Sequence, residues 1–129
     1  MAKGYDKHLH RQNMVSSLGK ELSRRAKSKC ELCGVQSSLK VMELPPLPEE
    51  PDPDHALLLC ASCQPYVDEK HKLKTPHTFQ FLHDSVWSDV APAQILAVRL
   101  AKKLSNMGET WAQNILDNLY LDPTIEERI

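Results

Sequence analysis

The chain has 129 residues and a formal charge of -1, from 16 Lys and Arg against 17 Asp and Glu. At roughly 100–200 residues per domain this is one domain, and the balanced charge excludes a uniformly basic nucleic-acid or membrane-surface protein. Aromatics are only 5% of the chain, so bulk for a core is scarce and a staple is expected, which the four cysteines supply.

Residues 1–12 are polar, with His8 and His10, and read as a frayed end. Met14 to Lys27 reads as a helix: Leu18, Leu22 and Ala26 recur at four-residue steps on one face, and Lys20, Arg24 and Lys27 take the other. Gly19 weakens it by about 1 kcal/mol. Cys30-Glu-Leu-Cys33-Gly34 is a tight turn, and Leu39 to Leu44 alternates as a strand. Pro45 to Asp54, rich in proline and acid, is an extended exposed loop. His55 to Cys60 contains Leu57-Leu58-Leu59, a short buried strand, and Pro65 opens a short helix through about Lys70.

Helix then dominates. Pro92 sits near the first turn of a helix striped by Leu96, Leu100 and Leu104, widened by Ala93, Ala97 and Ala101, and closed at Gly108. A second helix runs from Thr110, as N-cap, to Leu121, and buries Trp111, Ile115, Leu116 and Leu119. Asp122-Pro123 starts a last short turn. The two longer helices form a hairpin. Trp87, Phe79 and Phe81 are the material expected to join it to the cysteine module, and Asp84 or Ser85 to cap the turn before Trp87. The expected organisation is a cysteine module over 1–75 and a helical hairpin over 76–129, packed as one domain.

Charge is uneven along the chain. Residues 1–29 carry eight Lys or Arg against two acids, whereas residues 40–70 carry seven acids against two bases. A basic arm thus faces an acidic loop. It reads first as a solvated helix complementing acidic surface on the same molecule or a twin, and second as a phosphate-binding face that includes Arg24 and Arg25. No interleaved aromatics of the base-stacking kind accompany it.

The chemistry lies in the cysteines. Cys30-Glu-Leu-Cys33 and Cys60-Ala-Ser-Cys63 are two C-x2-C turns separated by 26 residues. Each turn places two sulfurs on one metal and aims backbone N–H groups at them, and two turns complete a tetrahedron of thiolates. No apolar run of transmembrane length is present, and Met1 to Lys7 lacks a secretory apolar stretch, so the expected compartment is the cytoplasm, without a membrane. There, paired cysteines are metal ligands before they are disulfides. Four closed thiolate positions leave none for water, so one structural zinc is expected on Cys30, Cys33, Cys60 and Cys63. His55 and His71 flank the second pair as alternative ligands. Lys27, Lys29 and Lys40 lie near enough in sequence to offset the charge of the centre.

Several further segments stand beside the cysteines: Val41-Met-Glu-Leu-Pro-Pro46, Leu82-His-Asp-Ser-Val-Trp-Ser88, Val90-Ala-Pro-Ala-Gln-Ile95 and Leu119-Tyr-Leu-Asp122. Together with Ser28-Lys-Cys-Glu-Leu-Cys-Gly34 and Leu58-Leu-Cys-Ala-Ser-Cys63, they make residues 20–123 resemble the PhnA family, through its N-terminal zinc-ribbon module. The resemblance implies a small bacterial protein with one zinc on the four cysteines. PhnA proteins often end in a small β-rich domain, whereas this chain ends in helices. The family name reflects an association with alkylphosphonate utilisation and assigns no reaction here.

The order of C-x2-C, strand, loop, strand, C-x2-C and short helix is also that of a treble-clef finger, shared by HNH nucleases with four zinc cysteines. Those enzymes carry a water-activating His on the first strand, where this chain has Val41-Met42-Glu43-Leu44. His55 stands near the middle position and Gln64 follows the last cysteine, so the general base is missing. Glu49, Glu50, Asp52 and Asp54 lack the glycine turn of a calcium loop. Ser85 beside His83 and Asp84 lacks the elbow of an acyl-transfer site. His77 and His83 read as surface residues.

The sequence therefore specifies an α+β fold: a small four-cysteine zinc finger, ribbon or treble clef, with two short strands, an N-terminal helix and a C-terminal helical hairpin. The function expected is a PhnA-like, non-enzymatic zinc-binding module that contacts a protein partner. The alternatives are nucleic-acid binding through the basic N-terminal helix and a degenerate HNH-type nuclease fold.

Overall fold

The polar N-terminal stretch is helical, in two pieces. A computed structural model of the chain describes residues 2–73 and 78–129, so His77 lies outside the described residues. Helix α1 spans Ala2–Ser17 and α2 spans Gly19–Ala26. The frayed end expected over residues 1–12 is helix from Ala2 onward, and the single helix expected over 14–27 is divided at Leu18. Gly19, the weakest helix former present, stands at that break. The C-terminus of α2 closes on Lys27, which is left-handed at φ 55, and the Ser28 N–H donates to the Ser23 carbonyl at 2.8 Å.

Strands β1, Lys40–Glu43, and β2, Ala56–Leu59, pair antiparallel with Lys40 opposite Leu59 and Glu43 opposite Ala56. All four residues of β2 are buried. A continuous apolar run of this kind needs cover on both faces, and the fold supplies it. Ala56 and Leu58 pack with Leu22 of α2, whereas Leu57 and Leu59 enter the main core. The Pro-rich loop between the strands ends in a single 3-10 turn, Pro53–His55, whose first free N–H, that of Asp54, donates to the Asp52 carboxylate. After Cys63 only another 3-10 turn forms, Gln64–Val67, shorter than the helix expected to reach Lys70. Its end is set by Asp68, which is extended.

Helix α3 is one turn, Leu82–Ser85. Asp84 and Ser85, expected to cap the turn before Trp87, lie inside α3, which starts after Phe81 without a side-chain cap; the Ser88 hydroxyl accepts the Val90 N–H ahead of the next helix. That helix, α4, spans Ala91–Asn106 and carries Pro92 at its start. It buries its leucine stripe with Ile95 and Val98. Gly108, at φ +98, makes the turn that lets the Glu109 N–H reach the Leu104 carbonyl. Helix α5, Thr110–Asp117, packs on α4 and stops short of the expected Leu121, where the Asn118 N–H turns back to Asn114 and Ile115. Thr110 lies inside α5, and Glu109 occupies the N-cap position. Helix α6, Pro123–Glu126, starts where Asp122-Pro123 indicated, with the Asp122 carboxylate accepting the Thr124 N–H at 2.9 Å.

One buried cluster runs from Cys30, Cys60 and Cys63 through Phe79, Leu82 and Val86 to Ile95, Leu96 and Leu104. The joint between the cysteine module and α4 is made by Phe79, whose ring is tilted against those of Tyr66 at 5.0 Å and Phe81 at 5.7 Å. Trp87, expected there, is instead 51% exposed. It follows the single turn of α3, whose buried side chains are Leu82 and Ser85.

Candidate metal centre

Two turns of the same design bring the four cysteines together. In the first, the Gly34 N–H donates to the Cys30 carbonyl at 2.9 Å, and in the second the Gln64 N–H donates to the Cys60 carbonyl at 3.0 Å. Gly34 sits at φ +86, a backbone conformation that glycine takes without strain. The Cys30 N–H closes the first turn on the Val35 carbonyl at 2.7 Å. Strand pairing then sets the two turns against each other. Leu59 ends β2 immediately before Cys60, and the Glu31 N–H donates to the Leu58 carbonyl at 2.8 Å, which hangs the first turn on β2.

The sulfurs of Cys30, Cys33, Cys60 and Cys63 all lie within 4.8 Å of one another, with Cys33 and Cys60 at 3.6 Å. A tetrahedral centre with metal–sulfur bonds of about 2.3 Å separates its sulfurs by about 3.8 Å, close to the Cys33–Cys60 distance and inside the limit for all four. Cys30, Cys60 and Cys63 are buried and Cys33 is half-buried. The four thiols are free of disulfides. The donor set is therefore of the right type and spacing for a metal ion.

The electrostatics point the same way. The Cys63 thiol donates to the Cys30 sulfur, and with backbone N–H groups of Cys33, Cys60 and Leu32 it holds the Cys30 thiol down to about 4, against the pull of burial. Burial pushes Cys33 up to about 11, although the Val35 N–H favours its thiolate. Cys63 is driven far up, first by that same hydrogen bond, then by burial and by the three neighbouring sulfurs. Sulfurs this close stabilise one negative charge and resist more of them unless a cation joins them. Tyr66 feels the same cluster: burial raises its phenol, and the nearby cysteines add to the shift.

Neither flanking histidine joins the cluster. Among the described residues, the only group with metal-ligand spacing is the four cysteines. His55 ends the 3-10 turn before β2, and its Nδ1 lies 3.2 Å from Nη2 of Arg128. His71 faces Tyr66 at 5.9 Å, and its carbonyl accepts the ammonium of Lys103. Ser85 is buried, and its hydroxyl donates to the Phe81 carbonyl at 3.1 Å, so it is committed as a helix-turn residue. His83 is exposed and stands against Trp111. Glu49, Glu50, Asp52 and Asp54 do not converge on one point. Asp52 caps the 3-10 turn, and Asp54 pairs with Arg128 at 3.1 Å.

Two residues that sequence reasoning passed over, or placed elsewhere, support the centre directly. Glu31 lies between the first two cysteines with its side chain only 2% exposed. Its carboxylate accepts two bonds from Arg25 of α2, at 2.9 and 2.7 Å, and a third from the Leu58 N–H at 2.8 Å. Arg25 also donates to the Pro53 and Ala56 carbonyls. One ion pair thus ties α2, the first cysteine turn and β2 together. The sequence signal is slight: a carboxylate inside a metal-binding turn, with an arginine six residues before it. Charge patterning alone puts Arg25 on a candidate phosphate-binding face, and the structure uses it internally.

Arg11 repeats the pattern, forking onto the Glu43 carboxylate at 2.9 and 2.7 Å and donating to the carbonyls of Pro48 and Glu49. The basic arm therefore complements acidic and carbonyl-rich surface on its own chain. Lys20, Arg24, Lys27, Lys29 and Lys40 remain exposed.

No helix among the described residues is long and apolar enough to cross a membrane. No family model, curated protein or solved structure matches the chain.

Proposed function

We propose that this chain is a PhnA-like zinc protein in which Cys30, Cys33, Cys60 and Cys63 hold one structural Zn²⁺, and that the module works by contacting a protein partner rather than by catalysis. The observation that carries the reading is the set of four sulfurs within 4.8 Å of one another. An all-thiolate shell matches zinc in ligand type and geometry, and it leaves no coordination position for a reacting water. The nearest histidine in the treble-clef alignment of elements, His55, is held at Nδ1 by Arg128, which argues against use as a general base. The order of a cysteine turn, a β-hairpin, a second cysteine turn and a helical turn favours a treble clef over a ribbon. The cytoplasm is the proposed compartment, because it keeps the thiols reduced for metal.

Element analysis of the purified chain tests the reading. One zinc per chain, lost in Cys63→Ser and retained in His55→Ala, is the expected result. A stoichiometry near zero, or iron in place of zinc at an intact site, overturns the metal assignment. Magnesium- or manganese-dependent nicking of plasmid DNA that disappears in His55→Ala overturns the non-enzymatic half.

A further inference from the structure

A second feature of the molecule lies outside the cysteine cluster. The chain has two tryptophans, and both line one open cleft of about 290 Å³ together with His83, Asn114, Ile115 and Asn118. Trp87 is 51% exposed, and Trp111 is half-buried with its indole N–H donated to the Glu109 carboxylate at 3.0 Å. The His83 ring stands 5.8 Å from that of Trp111. Large aromatics left open on a surface are the side chains that anchor protein contacts.

The charge around the cleft selects the occupant. No Lys or Arg is among the residues that line it. Three carboxylates stand next to the wall residues: Glu109, which accepts the Trp111 indole N–H, and Asp84 and Asp117, the chain neighbours of His83 and Asn118. A cation approaching the face of an indole is attracted by the ring quadrupole, and surrounding carboxylates add to that attraction while repelling anions.

We propose that this cleft docks a basic peptide segment of another protein, with an Arg or Lys side chain laid against Trp87 and Trp111. The inference names the partner class for the protein-contact reading above, and it rests on that reading but not on the metal. A second copy of this chain is the competing occupant, because its N-terminal arm is basic. Two of that arm's arginines, Arg11 and Arg25, are already forked onto Glu43 and Glu31 of their own chain, which weakens the arm as a ligand.

The test uses the full metal-loaded chain and three nine-residue probes: an Arg–Gly peptide, a Glu–Gly peptide and a Pro–Ala peptide. The Arg–Gly probe is expected to shift both indole N–H resonances saturably, and to bind less tightly as salt is raised. Trp87→Ala, at an exposed position that leaves the fold intact, is expected to weaken that binding about fivefold or more. The double variant Asp84→Asn, Asp117→Asn is expected to weaken it about twofold at low salt. Equal binding of the Glu–Gly probe, or full affinity in Trp87→Ala, overturns the proposal. Equal binding of the Pro–Ala probe reassigns the cleft to extended proline-rich chains and overturns it as well. Self-association at rising protein concentration that is lost in Trp87→Ala gives the cleft to a second copy, with the same consequence. Zinc content measured on the same samples separates the two readings, since binding without metal overturns only the metal assignment.

Discussion

In the region formed by α2, the two cysteine turns and the strands, the centre is filled by four sulfurs, with a nearly buried Arg–Glu pair beside them. In α4, nine of sixteen residues are buried, all of them aliphatic, alanine or proline. The first region consists of pieces that cannot stand alone: two four-residue strands and an eight-residue helix. An isolated hairpin of that size is marginal at best, and a helix of that length does not form by itself in water. The second region has a sixteen-residue helix whose apolar face is covered by α5, Phe79 and Leu82. The two regions nevertheless share one core, because Cys30, Cys60 and Cys63 lie in the same buried cluster as Leu96. The difference lies in what makes each region ordered. In the first, a small buried area around β2 is joined by bonding at a few points, and in the second the order rests on area removed from water.

Removing the metal proposed for the four cysteines should separate the regions most sharply. Cys60→Ser, or a strong chelator, is expected to withdraw a binding free energy that for structural zinc is about 10–16 kcal/mol. Hydrogen exchange should then show the amides of β1 and β2 losing protection while those of the centre of α4 keep most of theirs. Equal loss in both would erase the distinction. Leu96→Ala attacks the shared core from the other side and should cost about 2–5 kcal/mol, measured by chemical denaturation. Because Leu96 is almost fully buried in the cluster that holds the cysteines, this variant should also release the proposed metal to a competing chelator more readily.

Glu31→Gln removes the charge that pairs with Arg25 and keeps the shape. Breaking a buried pair costs about 3–5 kcal/mol, and Arg25 is a quarter exposed, so about 2–3 kcal/mol is expected here. Proteolysis near Arg24 and Lys27 should quicken before the strands open, because α2 loses its tie to the first cysteine turn.

The smallest effect is expected from Arg24→Glu. Arg24 is exposed and makes no internal pair among the described residues, so stability should change by less than about 0.5 kcal/mol. Salt-sensitive DNA binding by the native chain that this variant abolishes would return the arm to a nucleic-acid role.

Much of the candidate centre is legible in the order of residues alone. Two C-x2-C turns fix the ligand type, the pairing and the presence of tight backbone at Gly34, because sulfur spacing is set within each turn. The strands are legible from Leu57-Leu58-Leu59 and from the alternation before Pro45. Helix α4 is legible from its leucine stripe and from Pro92 and Gly108 at its ends. Element ends are less so. Helix α5 stops at Asp117 although Leu119 and Leu121 continue its apolar pattern, and both still pack on the core from outside the helix. The 3-10 turn after Cys63 stops where Asp68 becomes extended, a backbone choice that no residue spacing announces.

What the sequence determined by itself was local: which residues can bind metal, which runs can bury a face, and where proline and glycine interrupt the chain. These depend on neighbours a few residues apart. Tertiary structure decided which charges are spent and which are left over. Arg25 and Arg24 are adjacent and chemically alike, yet one is locked onto Glu31 and the other faces water. Phe79 and Trp87 lie eight residues apart, and the smaller ring became the joint while the larger was left outside. Pairing and burial of that kind depend on which distant segment arrives opposite a side chain, and that is fixed only when β2, α2 and α4 meet.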